Sequence, residues 1–534
     1  MAINDFCAQV TERHYHWKLV RDFVDGEHTI KEEGEYYLPR KGGQSDSDYL
    51  AYKARAKPGD YTGQTLESMH GSVMRRAPSI EKPEGTILDK ILENFDHEGH
   101  SVYQHASDVF RDNMQTNFGG LLGDIPKVEG KISVAERETR EIYPFCKYYP
   151  AESIVKWGYE QHDSYKKLAW VVLKETVEEV NSVTYEIEKK VQYRVPCLID
   201  GVYHVRLYKE FLENPGTPQQ KLTIAEVGDP IPFTVHGKTI DYVPFVFTPM
   251  VNVKTSDPLD KPMLYGVAEL HKHYYMQSAD YENGVHFTTI PTLWTTGHDI
   301  DAGAKDEHEA TMKLGGDVCL NFPEAEAKIG TVQFAGEGLT HSRQAKEETL
   351  EQIGITGTRA LSPDKAMSET SDAAKIHRTG ENARLATYTR NMSECYTIML
   401  RWMAEWEEIE GKVSLSFNVD YDSIAFDPNA LNSIANLARE SKYPLPLVFE
   451  ALKKGEYLPN DITLEQYMLL IQLELGKISP KEELELWTKL RNGEKVEIPD
   501  VDMSAVQQKV SEVPQKNAEP KDLTDKGESG ANRE

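Results

Sequence analysis

The chain has 534 residues, with 60 Lys plus Arg against 87 Asp plus Glu and a formal net charge of −27. That length supports one large core or two to four domains. The charge argues against a histone-like or repressor-like protein, which needs a positive footprint to gather phosphates. It does not argue against a protein that nucleic acid slides past, because an acidic wall repels the backbone. Five cysteines lie far apart, with no C-x-x-C pair, so a disulfide framework or cysteine zinc site is not expected and a reducing compartment is. No basic head with an apolar run opens the chain and no stretch reaches the apolar length of a membrane span, so neither a signal peptide nor a membrane is expected.

In chain order, residues 1–30 carry a helical rhythm that Gly26 can stop, and 31–61 are loop-rich with a short helix from Ser47 to Arg55 capped by Ser45 or Asp46. Helices are expected over Thr62–Val73, Leu88–Phe95 and Val102–Phe118, then a strand or turn at Leu121–Pro126. Arg137, Arg140 and Lys147 lie near Tyr143, Phe145, Tyr148 and Tyr149 in what reads as a loop packed on the core, since a nucleic-acid groove needs a longer basic stripe. The period then changes to two. Leu168–Val177, Thr184–Val195, Gly201–Glu210, Ile224–Val227 and Phe233–Val235 form an expected antiparallel meander with one wet face.

A helix over Tyr265–His286 follows Pro262, and Ile290–Ala335 is Gly-rich and reads as β. Thr340–Gln352 is a polar helix and Ile353–Met367 a loop. Ser371–Gly411 is the strongest element. Leu385, Met392, Met399 and Trp406 recur every seven residues, with Tyr388, Cys395, Trp402 and Ile409 between them. Its length favours packing between subunits over simple burial within one chain. A strand at Val413–Phe417 leads to helices at Asp427–Glu440, Pro446–Lys454, Thr463–Leu475 and Ser479–Gly493, a small helical region. Residues 500–534 hold no aromatic side chain and read as a disordered tail.

The search for chemistry finds no P-loop, no complete dinucleotide fingerprint and no nucleophile elbow. His308-Glu309 starts like a zinc helix, but Met312 stands where the second histidine belongs. His14 and His16, and His271 and His273, are spaced i,i+2 and do not share a helix face. His97, His100 and His105 come nearer to a ligand spacing, and Asp420 and Asp422 flank Tyr421, but ordinary surface or partly buried groups account for both sets. Asn391-Met392-Ser393, a formal glycosylation match, falls inside the long helix. No constellation supports catalysis, and no cofactor or metal is expected.

Five segments carry a family likeness. They are Tyr36-Tyr37-Leu38-Pro39-Arg40 with Tyr52-Lys53-Ala54-Arg55-Ala56, then Met69 to Pro78, and Tyr149 to Trp157. Next come Gln277 to Glu282 running into His286-Phe287 and Ile290-Pro291-Thr292-Leu293, and Thr370 to Leu385 after Ala360-Leu361, followed by Gly455-Glu456-Tyr457-Leu458-Pro459. In this order, over most of residues 30–475, the chain resembles the tailed-bacteriophage portal proteins, in a branch known as a domain of unknown function.

The resemblance implies an α+β portal fold. Its regions would be a wing (1–262), stem helix 1 (263–286), clip (287–337), stem helix 2 (338–352), channel loop (353–370), long wing helix (371–411), a crown-like helical region (412–499) and a disordered tail (500–534). It implies a homo-oligomeric ring, twelve copies in the virion, at one capsid vertex, with double-stranded DNA packaged and ejected through its centre. The implied partners are the terminase large subunit, the major capsid or scaffold protein and a head-completion or adaptor protein, with no membrane. The location would be the virion, and host cytoplasm during assembly. In stem helix 2, Glu347, Glu348 and Glu351, with Glu337 just before it, against Arg343 and Lys346, suit a channel wall that guides without gripping. Arg343, Lys346, Arg359, Lys365 and Lys375 are the expected channel-lining DNA contacts. The rival classes are another head–tail connector or virion structural protein, and an enzyme on an unfamiliar fold, whose mark would be a deep apolar pocket.

Overall fold

The computed structural model describes residues 2–126, 136–137, 140–162, 165–180, 184–213, 221–235, 237–249, 259–289, 292–296, 328–332, 336–358, 371–419, 421, 445–454, 462, 464 and 466–468. The chain divides into two units, 1–421 and 422–534. The strand at 414–416 therefore belongs with the first unit.

The first unit opens with helices α1 (Ala8–Asp25), α2 (Glu27–Glu32), α3 (Asp46–Arg55), α4 (Tyr61–Met74), α5 (Leu88–Glu93) and α6 (Val102–Thr116). Gly26 ends α1 with φ +99°, a backbone that glycine adopts freely. Ser45 caps α3 by accepting from the Asp48 amide, and Ser101 with Gln104 forms a reciprocal capping box on α6. Strands β1 (Ser79–Glu81), β2 (Gly119–Asp124) and β3 (Phe145–Pro150) interleave with these helices. The segment expected as a core-packed loop around Tyr148 is thus partly a strand. β3 pairs with β2 from Phe145 opposite Asp124 to Pro150 opposite Gly119, while the Tyr148 and Tyr149 hydroxyls donate to Asp112 and Glu175. The tyrosine density that suggested a packed loop reflects a strand whose tyrosines donate to one buried carboxylate, Glu175, and one partly exposed carboxylate, Asp112.

A second sheet contains the expected meander, preceded by an edge strand that was not expected: β4 (Ile154–His162), then β5 (Tyr165–Val180), β6 (Ile187–Ile199), β7 (Val202–Glu213) and β8 (Lys221–Glu226), each antiparallel to the next. The short β9 (Ile231–Pro232) pairs with β7, β10 (Thr234–Val235) pairs with β11 (Lys238–Thr239), and β12 (Phe245–Thr248) pairs with β2. The expectation of one wet face fails at the base of the meander. Val171 and Leu173 pack with Trp17 and Phe118, while Val172, pointing the other way, packs with Val155, Tyr193 and Cys197. Alternation marks one buried face only where the other is open, and the chain's own N-terminal residues Ile3 and Phe6 cover the second face here. Towards its far end the sheet is exposed, with Val180, Tyr185 and Ile187 at 60%, 80% and 56% exposure.

Three further helices complete the first unit's frame: α7 (Tyr265–Thr289), α8 (Glu337–Ile353) and α9 (Ser371–Trp406). Between α7 and α8 lies a hairpin of β13 (Thr292–Thr296) and β14 (Lys328–Val332), with Trp294 opposite Gly330. A π-helical turn spans Gly354–Thr358 after α8, where a loop was expected. The seven-residue stripe of α9 is buried inside its own chain: Leu385, Met392, Met399 and Trp406 are all under 4% exposed. From Leu385 onward this corrects the expected packing between subunits. The stripe is covered by α5, α6 and the β12–β2–β3 sheet, so one chain suffices to satisfy it. Gly123 of β2 lets the sheet approach, since a Cβ there would stand 2.9 Å from Trp406 and 3.0 Å from Met399. Strand β15 (Ser414–Ser416) turns back onto α9 and pairs with β1.

In the second unit, α10 (Leu445–Lys454) packs Phe449 against Tyr467, with ring centroids 5.3 Å apart. The expected helices at 427–440 and 479–493 and the tail 500–534 lie outside the described residues.

Met399→Ala removes a fully buried side chain at the crossing of α9 with β2. We expect a loss of about 2–5 kcal/mol in urea unfolding, against under about 0.5 kcal/mol for Glu394→Ala on the exposed face.

Candidate functional site

The element with a character unlike the rest is an arm made of α7, the hairpin and α8. Three contacts fix its geometry. A Cβ on Gly284 would stand 2.8 Å from Leu339; the Lys346 ammonium lies 4.3 Å from the Tyr281 ring and 6.0 Å from that of Tyr274; and Ile353 packs with Val267 and Tyr274. Rising positions on α7 meet falling positions on α8, so the two helices run antiparallel. The π-helical turn closes the base, with Gly357 against Thr65 and Val267 so tightly that a Cβ would come within 2.8 Å of Thr65 Oγ1.

The arm is fastened to the helical body along a different side of α7. Tyr52 Oη donates to Asp280 at 2.7 Å, Arg55 reaches Asn283 and His286 at 3.2 and 2.9 Å, and the Lys57 amide donates to Ser278 Oγ at 3.2 Å. Lys41 pairs with Asp280 at 2.8 Å and Lys57 with Glu282 at 3.1 Å. Deeper, His271 is fully buried. Its Nε2–H donates to the Pro58 carbonyl at 3.0 Å, which leaves Nδ1 to accept from the Thr62 hydroxyl at 2.9 Å. Burial holds this imidazole neutral, with its pKa lowered to about 4.

Of the five expected DNA contacts, two have described side chains. Arg343 is exposed on α8 and pairs with Glu347 at 3.0 Å. Lys346 is half-buried, its charge spent on two tyrosine rings of α7. Arg359 and Lys365 lie outside the described residues, and Lys375 falls in α9 where only the backbone course is described. The structure therefore brings Arg343 and Lys346 onto one helix and separates their duties. Sequence reasoning missed the tyrosine partners of Lys346, although Tyr274 and Tyr281 stand seven apart on α7, the spacing of one face.

The other sets singled out in the sequence do not converge. Asp96, Glu98 and His100 bring one ligand atom each within 4.8 Å of one another, but Asp96 accepts from His100 Nδ1 at 2.6 Å and from the Glu98 and His100 amides. The exposed His100 imidazole is raised in pKa by that carboxylate. His97 stacks on Phe145, and the buried His105 bonds Tyr396 Oη at 3.0 Å, so the histidine trio is split. Asp420 and Asp422 lie outside the described residues. An open apolar groove of about 220 Å³ between β4, β5, β12 and α9 is lined by Tyr159, Leu168, Phe245, Phe247 and Trp402 among others. No carboxylate, histidine or cysteine lines it. Among the described residues no helix is long and apolar enough to cross a membrane.

The arm and α9 together coincide with a family model. Residues 263–407, a little over a quarter of the chain, match a family described as Domain of unknown function (DUF4055). No curated protein matches the chain. Solved structures with a similar course come from gene transfer agent particles. One is a chain of the virion of the native particle, at 11% identity and a TM-score of 0.35, over 78% of this chain and 94% of that one. Another is a chain from the neck of the empty particle computed with C6 symmetry, at 10% identity and TM-score 0.35, over 74% and 89%. A third is from the neck of the native particle computed with C12 symmetry, at 10% and 0.33, over 78% and 95%.

Two expectations follow from the site. His271 and His105 both have pKa values lowered to about 4 by burial, against about 6.5 in the unfolded chain. The unfolded state therefore binds protons first as pH falls. Stability is full above pH 6.5 and drops progressively towards pH 4, by about 2 kcal/mol per histidine at pH 5. Urea unfolding at pH 7 and pH 5 should show this loss, and His271→Asn should remove its share of the pH dependence. Lys346→Met keeps the aliphatic stem but loses the cation–π contact; it should lower stability by about 0.5–1 kcal/mol and increase amide exchange in α8 more than in α6.

Proposed function

We propose that the chain is the protomer of a portal-like ring in a virion, through which double-stranded DNA is packaged and ejected. The observation that carries this reading is the arm: two antiparallel helices bearing a two-stranded hairpin, followed by a turn and the long helix α9. That order supports an arm that serves as stem, with the hairpin as the start of a clip and α9 as the scaffold that anchors both. The sequence resemblance supplies the rest of the proposal. Terminase and head-completion proteins dock on the ring, the capsid or scaffold protein surrounds it, and assembly takes place in host cytoplasm.

The action is physical rather than chemical. A ring in which every protomer offers the same head-to-tail contact has no open end. A chain of net charge −27 keeps DNA from condensing on it. Phosphate contacts are assigned to Arg343, which is exposed, and to Arg359, Lys365 and Lys375. Lys346 acts on the arm through its tyrosines, so neutralising it should disturb the arm as well as any DNA contact.

Native mass spectrometry with negative-stain imaging tests the reading. A particle of about twelve times 60.6 kDa with a central hole is expected. A strict monomer both alone and with capsid or scaffold protein present would overturn it. Arg359→Gln, Lys365→Gln and Lys375→Gln together should leave the ring intact and reduce DNA packaged per particle. Loss of the ring would remove these residues from the channel and place them in the subunit contact.

A further inference from the structure

We propose that neighbouring protomers meet through charge. The acidic stripe on α8 of one copy seats on a basic, tyrosine-lined patch formed by α1 and the start of α7 in a second copy. The inference rests on the ring reading above and says where the ring closes.

The patch comprises Arg13, Tyr15 and His16 of α1 with Lys261, Tyr265 and Lys272 around the first turns of α7. Lys272 Nζ donates to Tyr15 Oη at 3.4 Å and lies 5.9 Å from that ring, and Lys261 Nζ lies 5.1 Å from the Tyr265 ring. The His16 ring stands edge-on to Tyr265 at 4.5 Å, and its buried Nδ1 has no hydrogen-bond partner. Among the described residues Arg13, Lys261 and Lys272 make no ion pair, whereas nearby Lys18 is matched by Asp22 and Glu33, and Arg21 by Asp112 and Glu152. Glu269, the acid beside the patch, accepts from Tyr265 Oη. Among the described residues these three cations stand without an ion pair and outnumber Glu269, the carboxylate at the patch, in a chain of net charge −27.

The complementary surface is on α8. Leu339, Lys346 and Ile353, seven apart, mark the side turned to α7. Glu348 and Glu351 stand two and five positions from Lys346, about 200° and 140° around the helix, and Glu347 one position away. All three glutamates are exposed; Arg343 at the edge of the stripe pairs with Glu347, and Glu348 accepts from Gln344 at 2.9 Å.

Two geometric facts make patch and stripe fit a cyclic contact. First, they lie on opposite flanks of the arm. Tyr274 faces α8, and Tyr265 stands nine positions before it, about 180° around α7, with Lys272 about 200° away. A protomer so built offers a negative flank to one neighbour and a positive flank to the other, the requirement for head-to-tail association. Second, they are level. Lys346 touches Tyr274 and Tyr281 while Ile353 touches Val267, so Glu347–Glu351 lie beside the stretch of α7 that contains Lys272. Rotation about an axis parallel to the arm brings level patches together with no rise, so the assembly closes rather than running on as a filament. The α8 carboxylates thereby move from the channel wall, where the sequence put them, to the subunit contact. A nucleic-acid backbone is the other polyanion that could use the patch, but three cations make a short track for it, and the level stripe on the same chain favours a second copy.

Charge exchange tests this on the full-length protein. Arg13→Glu with Lys261→Glu reverses the patch at positions outside the fully buried core, and Glu347→Lys, Glu348→Lys and Glu351→Lys reverses the stripe. A circular-dichroism melt within a few degrees of wild type confirms that each variant folds. By sedimentation, each reversed set should raise the concentration needed for ring formation about tenfold or more, mixing the two variants should yield mixed oligomers, and wild-type assembly should weaken as salt rises. Wild-type rings with unaffected rings in both variants would overturn this contact and leave the ring reading standing. A wild-type chain that never forms rings would overturn both. Rings that persist in the patch variant while its affinity for a double-stranded oligonucleotide falls would reassign the patch to nucleic acid.

Discussion

The first unit depends on burying one apolar stripe of α9. From Leu385 to Trp406 this helix inserts between the α5–α6 layer and the β12–β2–β3 sheet, and its side chains join the two main apolar clusters of the unit. Such a helix carries polar groups into the interior, and each is answered. Thr397 Oγ1 donates to the Leu415 carbonyl and accepts from the Leu415 amide, both at 3.0 Å, and Ser393 Oγ accepts from Phe417 at 3.0 Å. Tyr388 Oη donates to Asn113 at 3.1 Å. These bonds fix where β15 lies, and β15 in turn holds β1. An unmade bond in that setting costs more than a made one contributes, so the pairing sets register more than it adds stability.

The two sheets are tied by a polar knot of the same kind. Glu175 on β5 is buried and accepts from Tyr149 at 2.5 Å, Gln192 at 2.7 Å and Lys147 at 2.9 Å. Burial alone pushes its pKa up, but the Tyr149 hydroxyl, the Lys147 charge and the Gln192 amide outweigh that and hold it below the usual carboxylate range. The arm is held differently. At its base the buried His271 and the close-packed Gly357 turn form the seat, while farther out Lys41, Arg55 and Lys57 grip α7 by partly exposed polar bonds. Partly exposed pairs contribute little each. The arm is thus held most firmly where it meets the body and more weakly towards the hairpin.

Residue spacing announced the meander, the arm helices, the hairpin's β character and the length of α9, because apolar periods of two and near 3.6 record which side of an element meets a core. It did not announce that both faces at the base of β5 are covered, since Val171, Val172 and Leu173 read equally well as a propensity run in a half-open strand. It placed Tyr148 and Tyr149 in a loop because their partners, Asp112 and Glu175, lie 36 and 26 residues away. Lys346 looked like a channel charge for the same reason: the tyrosines that take it up belong to another helix.

Alone, then, the sequence determined element type, element order, the acidic balance and the segments that carry the family likeness, all properties of neighbouring residues. The tertiary structure decided what those elements face: that the α9 stripe is satisfied within one chain, that Lys346 turns inward, and that cations of α1 and of the start of α7 gather on the flank of the arm away from the α8 carboxylates. Facing is set by contacts between residues far apart in the chain, and a local period gives the side of a helix that is buried without naming what buries it.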